Sequence, residues 1–342
     1  MADAERSRDL VVVGASAGGV GTLRLLVAGL PPDLGAAVCI VLHTAPRGSS
    51  ALASILRRAG PLPCRAARDG DELKPGEILV APPDHHLVVE DRHVRLTVGP
   101  RENGHRPSVD TLFRSAAEAG DGRVIGVVLS GTRDDGTAGL AMIKSRGGGA
   151  VVQDPEDALY AGMPASALAH VAVDAVVPAE RLATAVADMV SGSHPPKPPA
   201  PDPPSTSKDG PRDPLENTGV ATVCPDCGGV LEERPEAGMA QWRCRVGHRY
   251  SPESLADAQA EDVEAALWTA VRVLEDRVGL LSRMADRAEA RGETRSARSF
   301  RRRAGSAGGH AQLVREALSR AASTTLLGLG AEVPEHDQES AA

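Results

Sequence analysis

Aromatic side chains are nearly absent: two Phe, two Trp and two Tyr in 342 residues. So few rings make a poor base-stacking platform for nucleic acid, and the core has to be assembled from Val, Leu, Ile and Ala. A net charge of −8 points the same way, because phosphate binding needs a basic surface. No nucleic-acid partner is expected. Long hydrophobic runs are missing as well. No uncharged apolar stretch approaches the ~20 residues of a bilayer span, so no membrane insertion is expected. The first nine residues mix acids and bases without a secretory apolar segment, and the cytoplasm is the expected compartment. Cysteine is scarce and odd in number, five in all, which argues against a disulfide framework. Three of the five, Cys224, Cys227 and Cys244, cluster in a way that suggests a metal. What remains is 42% hydrophobic and 25% charged, the composition of a soluble globular chain, with room for about two or three domains.

Residues 1–191 alternate between short apolar runs and helical patterns. The runs predict strands at 10–13, 37–42, 78–80, 87–89, 94–97, 124–129, 150–152 and 171–177. Helices are expected at 22–30, near 50–58, and at 108–119, 137–146 and 179–190. Short Val-rich strands separated by helices indicate an α/β fold, a doubly wound and mostly parallel sheet covered on both faces. The pair at 87–97 reads as a local hairpin. The composition then breaks: 192–219 contains nine prolines and almost nothing apolar, and reads as an interdomain linker. A cysteine-rich module follows at 220–250, and a helical hairpin at 251–330. Ser251-Pro252-Glu253 gives an N-cap with proline at the first helical position. Val263, Leu267, Ala270, Leu274, Val278, Leu281, Ala285 and Ala288 recur at steps of three and four. Ala297, Phe300, Ala304, Ala307, Ala311, Val314 and Leu318 do the same beyond Gly292, so each set forms one helix face. Gly305, Gly308 and Gly309 weaken the second helix, and 331–342 is expected to be a disordered tail.

Gly14-Ala15-Ser16-Ala17-Gly18-Gly19 follows a strand and opens a helix. A dinucleotide turn would need different glycine spacing and an acid about 20 residues on. No Asp or Glu lies between Asp33 and Asp69, and a Walker lysine is absent. Gly14-x-Ser16-x-Gly18 instead fits a serine on a sharp turn, its hydroxyl clear of small neighbours. Such a hydroxyl needs a base and a group to orient that base. His43 ends the next apolar run, and Asp134 and Asp135 follow the run at 124–129. In a parallel sheet all of them emerge at the carboxyl edge, where open α/β sheets place their sites. Spacing does not choose between the two aspartates. A glycine-rich turn needed only for packing is the plainer alternative for the first motif alone; convergence of the three residue types favours catalysis.

Five segments in order sharpen this: the serine motif; Val41-Leu42-His43; Arg106-Pro107-Ser108-Val109-Asp110; Ser130-Gly131-Thr132-Arg133-Asp134-Asp135-Gly136; and Gln153-Asp154 with Gly162-Met163-Pro164. Together, over about residues 9–190, they resemble the catalytic domain of CheB-type protein-glutamate methylesterases, enzymes of bacterial chemotaxis. The order Ser, His, Asp differs from that of α/β-hydrolases. The resemblance implies that Ser16 is the nucleophile, His43 the general base and Asp135 the orienting acid. It also implies an oxyanion donor on the backbone near Thr132. Many relatives have Met at that position and Thr where this chain has Ala17; a main-chain donor tolerates the first change, and the second removes a hydroxyl beside the serine. The implied reaction is hydrolysis of γ-glutamyl methyl esters on methyl-accepting chemotaxis receptors, with deamidation of receptor glutamines by the same chemistry and no cofactor for catalysis. Partners implied are methylated receptor helices, with a methyltransferase or another signalling protein as further candidates. Family members usually carry a phosphorylated receiver domain upstream; the first strand begins near residue 10, so control is expected from a partner or the C-terminal module, or activity is constitutive.

Other histidines have plainer readings: His85 and His86 as part of a turn feeding a strand, His105 at the rim of the site. Cys39 reads as a small buried hydrophobe and Cys64 is isolated. In the C-terminal module, Cys224-Pro225-Asp226-Cys227 with Cys244 and His248 gives C-x2-C-x16-C-x3-H. Two such knuckles can close a tetrahedral Cys3His site, and thiolates with an imidazole suit a structural zinc. Free thiols, or a ribbon that keeps its fold without metal, are the alternatives. Arg301-Arg302-Arg303 reads as a solvated helix face. An enzyme is therefore the leading expectation. A catalytically weak signalling scaffold, whose zinc and helical module binds a partner, is the alternative; it has no need of an intact Ser16, His43 and Asp135.

Overall fold

The structure, a computed structural model, describes residues 8–44, 51–192 and 222–328. They fall into two compact units, one running to Ala256 and one from Asp257. The proline-rich stretch at 192–219, apart from Gly192, and the tail at 331–342 lie outside the described residues.

The first unit is built on seven strands: β1 (Leu10–Ala15), β2 (Ala37–Leu42), β3 (Cys64–Ala66), β4 (Ile78–Val80), then, after a hairpin of β5 (His86–Glu90) and β6 (His93–Thr97), β7 (Val124–Val128), β8 (Gly149–Gln153) and β9 (Ala175–Val177). Their order is β3-β4-β2-β1-β7-β8-β9 and every pairing is parallel. The helices are α1 (Gly19–Gly29), α2 (Leu52–Arg57), α3 (Val109–Gly120), α4 (Thr137–Ser145), α5 (Gly162–His170) and α6 (Leu182–Val190).

Period-two alternation along the strands sorts the core into two layers. Val11, Val13, Val38, Ile40, Ile125 and Val127 pack with Leu23 and Leu26 of α1, Leu56 of α2 and Val186 of α6. Val12, Cys39, Val41, Val124 and Val128 pack with Leu112 and Phe113 of α3, Leu140 of α4 and Ala167 of α5. Each fully buried Val, Leu or Ile contributes roughly 1.5–3 kcal/mol. Cys39 belongs to this core, and burial pushes its thiol up to about 12. The strand order turns back between β1 and β7, which opens a crevice at the carboxyl ends of the central strands.

Three elements depart from expectation. β3 offers one buried residue, Cys64, too little for an apolar run to show. The sequence of α5 holds Gly162 and Pro164, yet proline is tolerated in a first turn, where its missing N–H has no intrahelical partner. Residues 171–174 are not strand. Val171 caps α5, and Asp174 turns its carboxylate to Lys144 Nζ (2.6 Å) and the Ala150 N–H (2.8 Å) before β9 begins.

Beyond residue 221, β10 (Leu231–Glu233), β11 (Trp242–Cys244) and β12 (Arg249–Tyr250) form a small antiparallel sheet. The helices α7 (Pro252–Ala290) and α8 (Thr294–Gly328) follow. In the second unit they run antiparallel, with Glu275 paired to Arg315 and Glu289 to Arg301. Their buried face is mostly alanine: Ala285, Ala288, Ala297, Ala304, Ala307 and Ala311, closed by Leu281 and Leu318. Val263, expected on that face, is 60% exposed; the stripe begins a turn later, with Leu267 half-buried and Val271 buried.

Candidate active site

Ser16, His43 and the loop at 130–136 follow β1, β2 and β7, three adjacent parallel strands, so they meet at one edge. Backbone bonds fix their starting points. The Ser16 N–H donates to the Ser130 carbonyl (2.9 Å) and the His43 N–H to the Ala15 carbonyl (3.1 Å). Gly18 has a φ of +76°, the left-handed conformation that lets the chain turn from β1 into α1. Gly131 presses so close that a Cβ would stand 2.8 Å from Ser16 Cβ and 2.1 Å from Met163 Sδ. The Ser130 hydroxyl ties the two loops, donating to the Ala17 carbonyl (2.9 Å) and accepting from the Tyr160 N–H (3.0 Å). Gln153, buried at the end of β8, accepts from the Ser130 N–H (2.9 Å).

Ser16 Oγ lies 3.0 Å from His43 Nδ1, and His43 Nε2 lies 2.7 Å from Asp135 Oδ2. With the carboxylate accepting the Nε2 proton, Nδ1 is left to accept from the serine hydroxyl. Asp135 also accepts from the Val109 N–H (2.7 Å), Asn103 Nδ2 (2.9 Å), Ser108 Oγ (3.0 Å) and the Asp110 N–H (3.1 Å). Two of these donors are the first N–H groups of α3, whose positive dipole end faces the carboxylate. Burial opposes the charge of Asp135, but the hydrogen bonds from His43 and the Val109 N–H outweigh it, holding the carboxyl well below its usual range. Burial, then the charges of Asp135 and Glu102, raise neighbouring Asp110 well above the usual range. The two buried carboxyls thus divide the roles: Asp135 keeps the negative charge.

Asp134 points elsewhere. It accepts from Ser251 Oγ (2.8 Å) and Ser254 Oγ (2.7 Å) and does not take part in the His43 contact. Burial raises its carboxyl despite those bonds. Thr132 is exposed, one residue past the glycine that abuts Ser16. His105 stacks on His43 with ring centroids 3.6 Å apart and planes 13° apart. Burial lowers it to about 3, so it lies neutral against the His43 ring. His86 is buried, with Nε2 to the Pro100 carbonyl (2.9 Å) and Nδ1 accepting from the Ser108 N–H (3.3 Å). His85 bonds the Pro83 carbonyl within its own turn (2.9 Å).

Sequence reasoning assigned no role to Asn103, Ser108, Asp110 or Gln153. Three of them sit inside matching motifs. Asn103, with a φ of +53° before Gly104, carries only the signal of a turn.

In the ribbon, ligand atoms of Cys224, Cys227, Cys244 and His248 all lie within 4.8 Å of one another. Cys227 Sγ is 3.7 Å from Cys244 Sγ, and Cys244 Sγ is 3.5 Å from His248 Nδ1. Tetrahedral zinc with ordinary Zn–S and Zn–N bonds would hold such pairs ~3.8 and ~3.6 Å apart. Gly228 (φ +69°) and Gly247 (φ +113°) turn the two knuckles, with Gly228 N–H to the Cys224 carbonyl (2.8 Å) and Gly247 N–H to the Cys244 carbonyl (3.0 Å). The four residues fit a closed structural site.

A parallel α/β sheet that carries a serine, a histidine and a carboxylate in hydrogen-bonded series at its carboxyl edge defines the class: a hydrolase. The chain belongs to the CheB methylesterase family, whose description matches residues 11–186. A Leptospira interrogans protein whose designation joins protein-glutamate methylesterase and protein-glutamine glutaminase is 39% identical over 176 residues, covering 51% of this chain and 91% of that protein. The protein-glutamate methylesterase/protein-glutamine glutaminase 2 of Anaeromyxobacter dehalogenans is 39% identical over 181 residues, covering 53% of each. The crystal structure of the Thermotoga maritima CheB methylesterase catalytic domain superposes with a TM-score of 0.51 at 33% identity, covering 53% of this chain and 98% of that one. The family match ends at residue 186, before the ribbon and the long helices. No described helix is long and apolar enough to cross a membrane.

Proposed function

We propose that the chain is a protein-glutamate methylesterase that hydrolyses γ-glutamyl methyl esters of methyl-accepting chemoreceptors, with Ser16 as nucleophile. The observation that carries this reading is the continuous hydrogen-bond series Ser16–His43–Asp135 within a CheB methylesterase match. His43 Nδ1 takes the Ser16 proton as Oγ attacks the ester carbonyl. Asp135 holds the ring and stabilises the imidazolium that forms. The oxyanion meets backbone N–H groups near Thr132 and at the start of α1. His43 returns the proton to the departing methoxide, and methanol leaves. Water, deprotonated by His43, then hydrolyses the glutamyl ester and frees Ser16. A glutamine side chain reacts the same way with ammonia as leaving group. The half-buried serine at an open sheet edge suits a long side chain presented by another protein. The ribbon residues Cys224, Cys227, Cys244 and His248 hold a structural zinc, which supplies folding stability rather than reaction chemistry.

The test is covalent. An organofluorophosphonate should label the purified chain on Ser16, located by peptide mass spectrometry, and Asp135→Asn should slow labelling by about 10³-fold or more through the wrong histidine tautomer. Labelling elsewhere, or an unchanged rate in Asp135→Asn, would remove the nucleophile assignment.

A further inference from the structure

The ribbon reaches the support of Asp135. Its last ligand candidate, His248, is followed by Arg249, whose carbonyl accepts the Asn103 N–H (2.8 Å), and by Tyr250, fully buried. The Ser251 N–H then donates to Asn103 Oδ1 (2.9 Å), while Ser251 Oγ donates to Asp134 (2.8 Å). Farther up the ribbon, Glu236 bridges Arg114 of α3 (2.8 Å) and Arg249 (3.0 Å). Asn103, Ser251 and Ser254 are each at most 3% exposed.

The amide of Asn103 has two unlike ends. Only Oδ1 can accept the Ser251 N–H, so Nδ2 faces the other way and gives its two hydrogens to Asp135 Oδ1 (2.9 Å) and Asp110 Oδ2 (2.9 Å). Without the Ser251 donor, Oδ1 is left buried and unpaired, a cost that a neighbouring rotation relieves only by turning oxygen toward a carboxylate. Two residues of chain, Arg249 and Tyr250, therefore separate a metal-ligand candidate from the donor that fixes Asn103 beside Asp135.

We propose that Ser251 is a positioning residue for Asp135, acting through Asn103, and that metal in the Cys224, Cys227, Cys244 and His248 centre holds it in register. The ribbon is then a structural part of the esterase site rather than an appended module. This rests on reading Ser16, His43 and Asp135 as the triad.

The test uses the full chain. Elemental analysis should find one zinc per chain. In proton NMR, the low-field Nε2–H of His43, bonded to Asp135, should shift or broaden when a chelator removes zinc and return on adding zinc back. Ser251→Pro, which lacks both donors, should show the same change with zinc still bound; Ser251→Thr, which keeps both, should match the parent. Esterase kcat should follow the resonance, falling about tenfold with KM unchanged, the scale of one hydrogen bond to a charged group. A chain that binds no zinc overturns the proposal, as does an unmoved resonance in the zinc-free chain. If Ser251→Pro does not fold, by circular dichroism, the chelation arm on the parent decides. A resonance that responds in a chain with no ester turnover supports the coupling and removes the esterase reading; turnover with an unmoved resonance does the reverse.

Discussion

Asp134 and Asp135 are neighbours in sequence with opposite employments, and what separates them arrives from far along the chain. Asp135 meets the N-terminus of α3 and the ring of His43; Asp134 meets two serines from beyond residue 250. No local pattern carries that information, which is why spacing alone left both open and only the family motif chose. The meeting of Ser16 and His43 is legible in the sequence because each lies just past an apolar run, and parallel strands bring such ends together. The sequence places His105 at the rim of the site, while its stack on His43 depends on tertiary packing that leaves no sequence signal. In the folded chain His105 is pushed down to about 3, whereas an unfolded histidine titrates near ~6.5. Below about pH 6.5 the unfolded chain therefore binds a proton that the folded chain refuses until near pH 3. The contribution of neutral His105 is full above that range and is lost as pH falls. Chemical denaturation from about pH 7 to about pH 5 should show a stability loss steeper, on the order of 1 kcal/mol per pH unit, than in His105→Gln. Equal slopes in the two proteins would contradict the neutral assignment.

Elements are legible in the sequence where the hydrophobic period is strong and obscure where tertiary contacts decide. β2 and β4 coincide with the apolar runs at 37–42 and 78–80. β3 and α5 gave little signal, the first for lack of apolar residues and the second because Gly162 and Pro164 resemble breakers. The long hairpin followed its three-and-four stripe except at Val263, where the apolar residue stands in solvent. The alanines of that stripe set how closely α7 and α8 approach. Ala307 is 4% exposed in α8 and has no space for a longer side chain. Ala307→Leu should destabilise the hairpin by about 1–3 kcal/mol, seen as a lower thermal midpoint by circular dichroism. A rise in the midpoint would mean that the helices are spaced more widely than described.

At the scale of the molecule, a proline-rich stretch precedes the ribbon in the sequence, and the described ribbon residues form one compact unit with the sheet. Composition reports where a chain cannot order itself; it does not report that the chain returns to the same surface. The ties are buried polar bonds, Asn103 to Ser251 and Asp134 to Ser251 and Ser254, and polar residues of this kind are easily taken for surface in a sequence. The arrangement supports the proposed acyl transfer: a serine at a sharp turn, a histidine bonded to it and to a carboxylate, and that carboxylate kept ionised by the His43 bond and the first N–H groups of a helix. The direct measurement is release of labelled methanol from a methyl-labelled chemoreceptor cytoplasmic fragment, comparing the full chain with Ser16→Ala. The parent should release methanol and the variant none above background. Release by both, or by neither while the parent remains folded, would contradict the esterase reading.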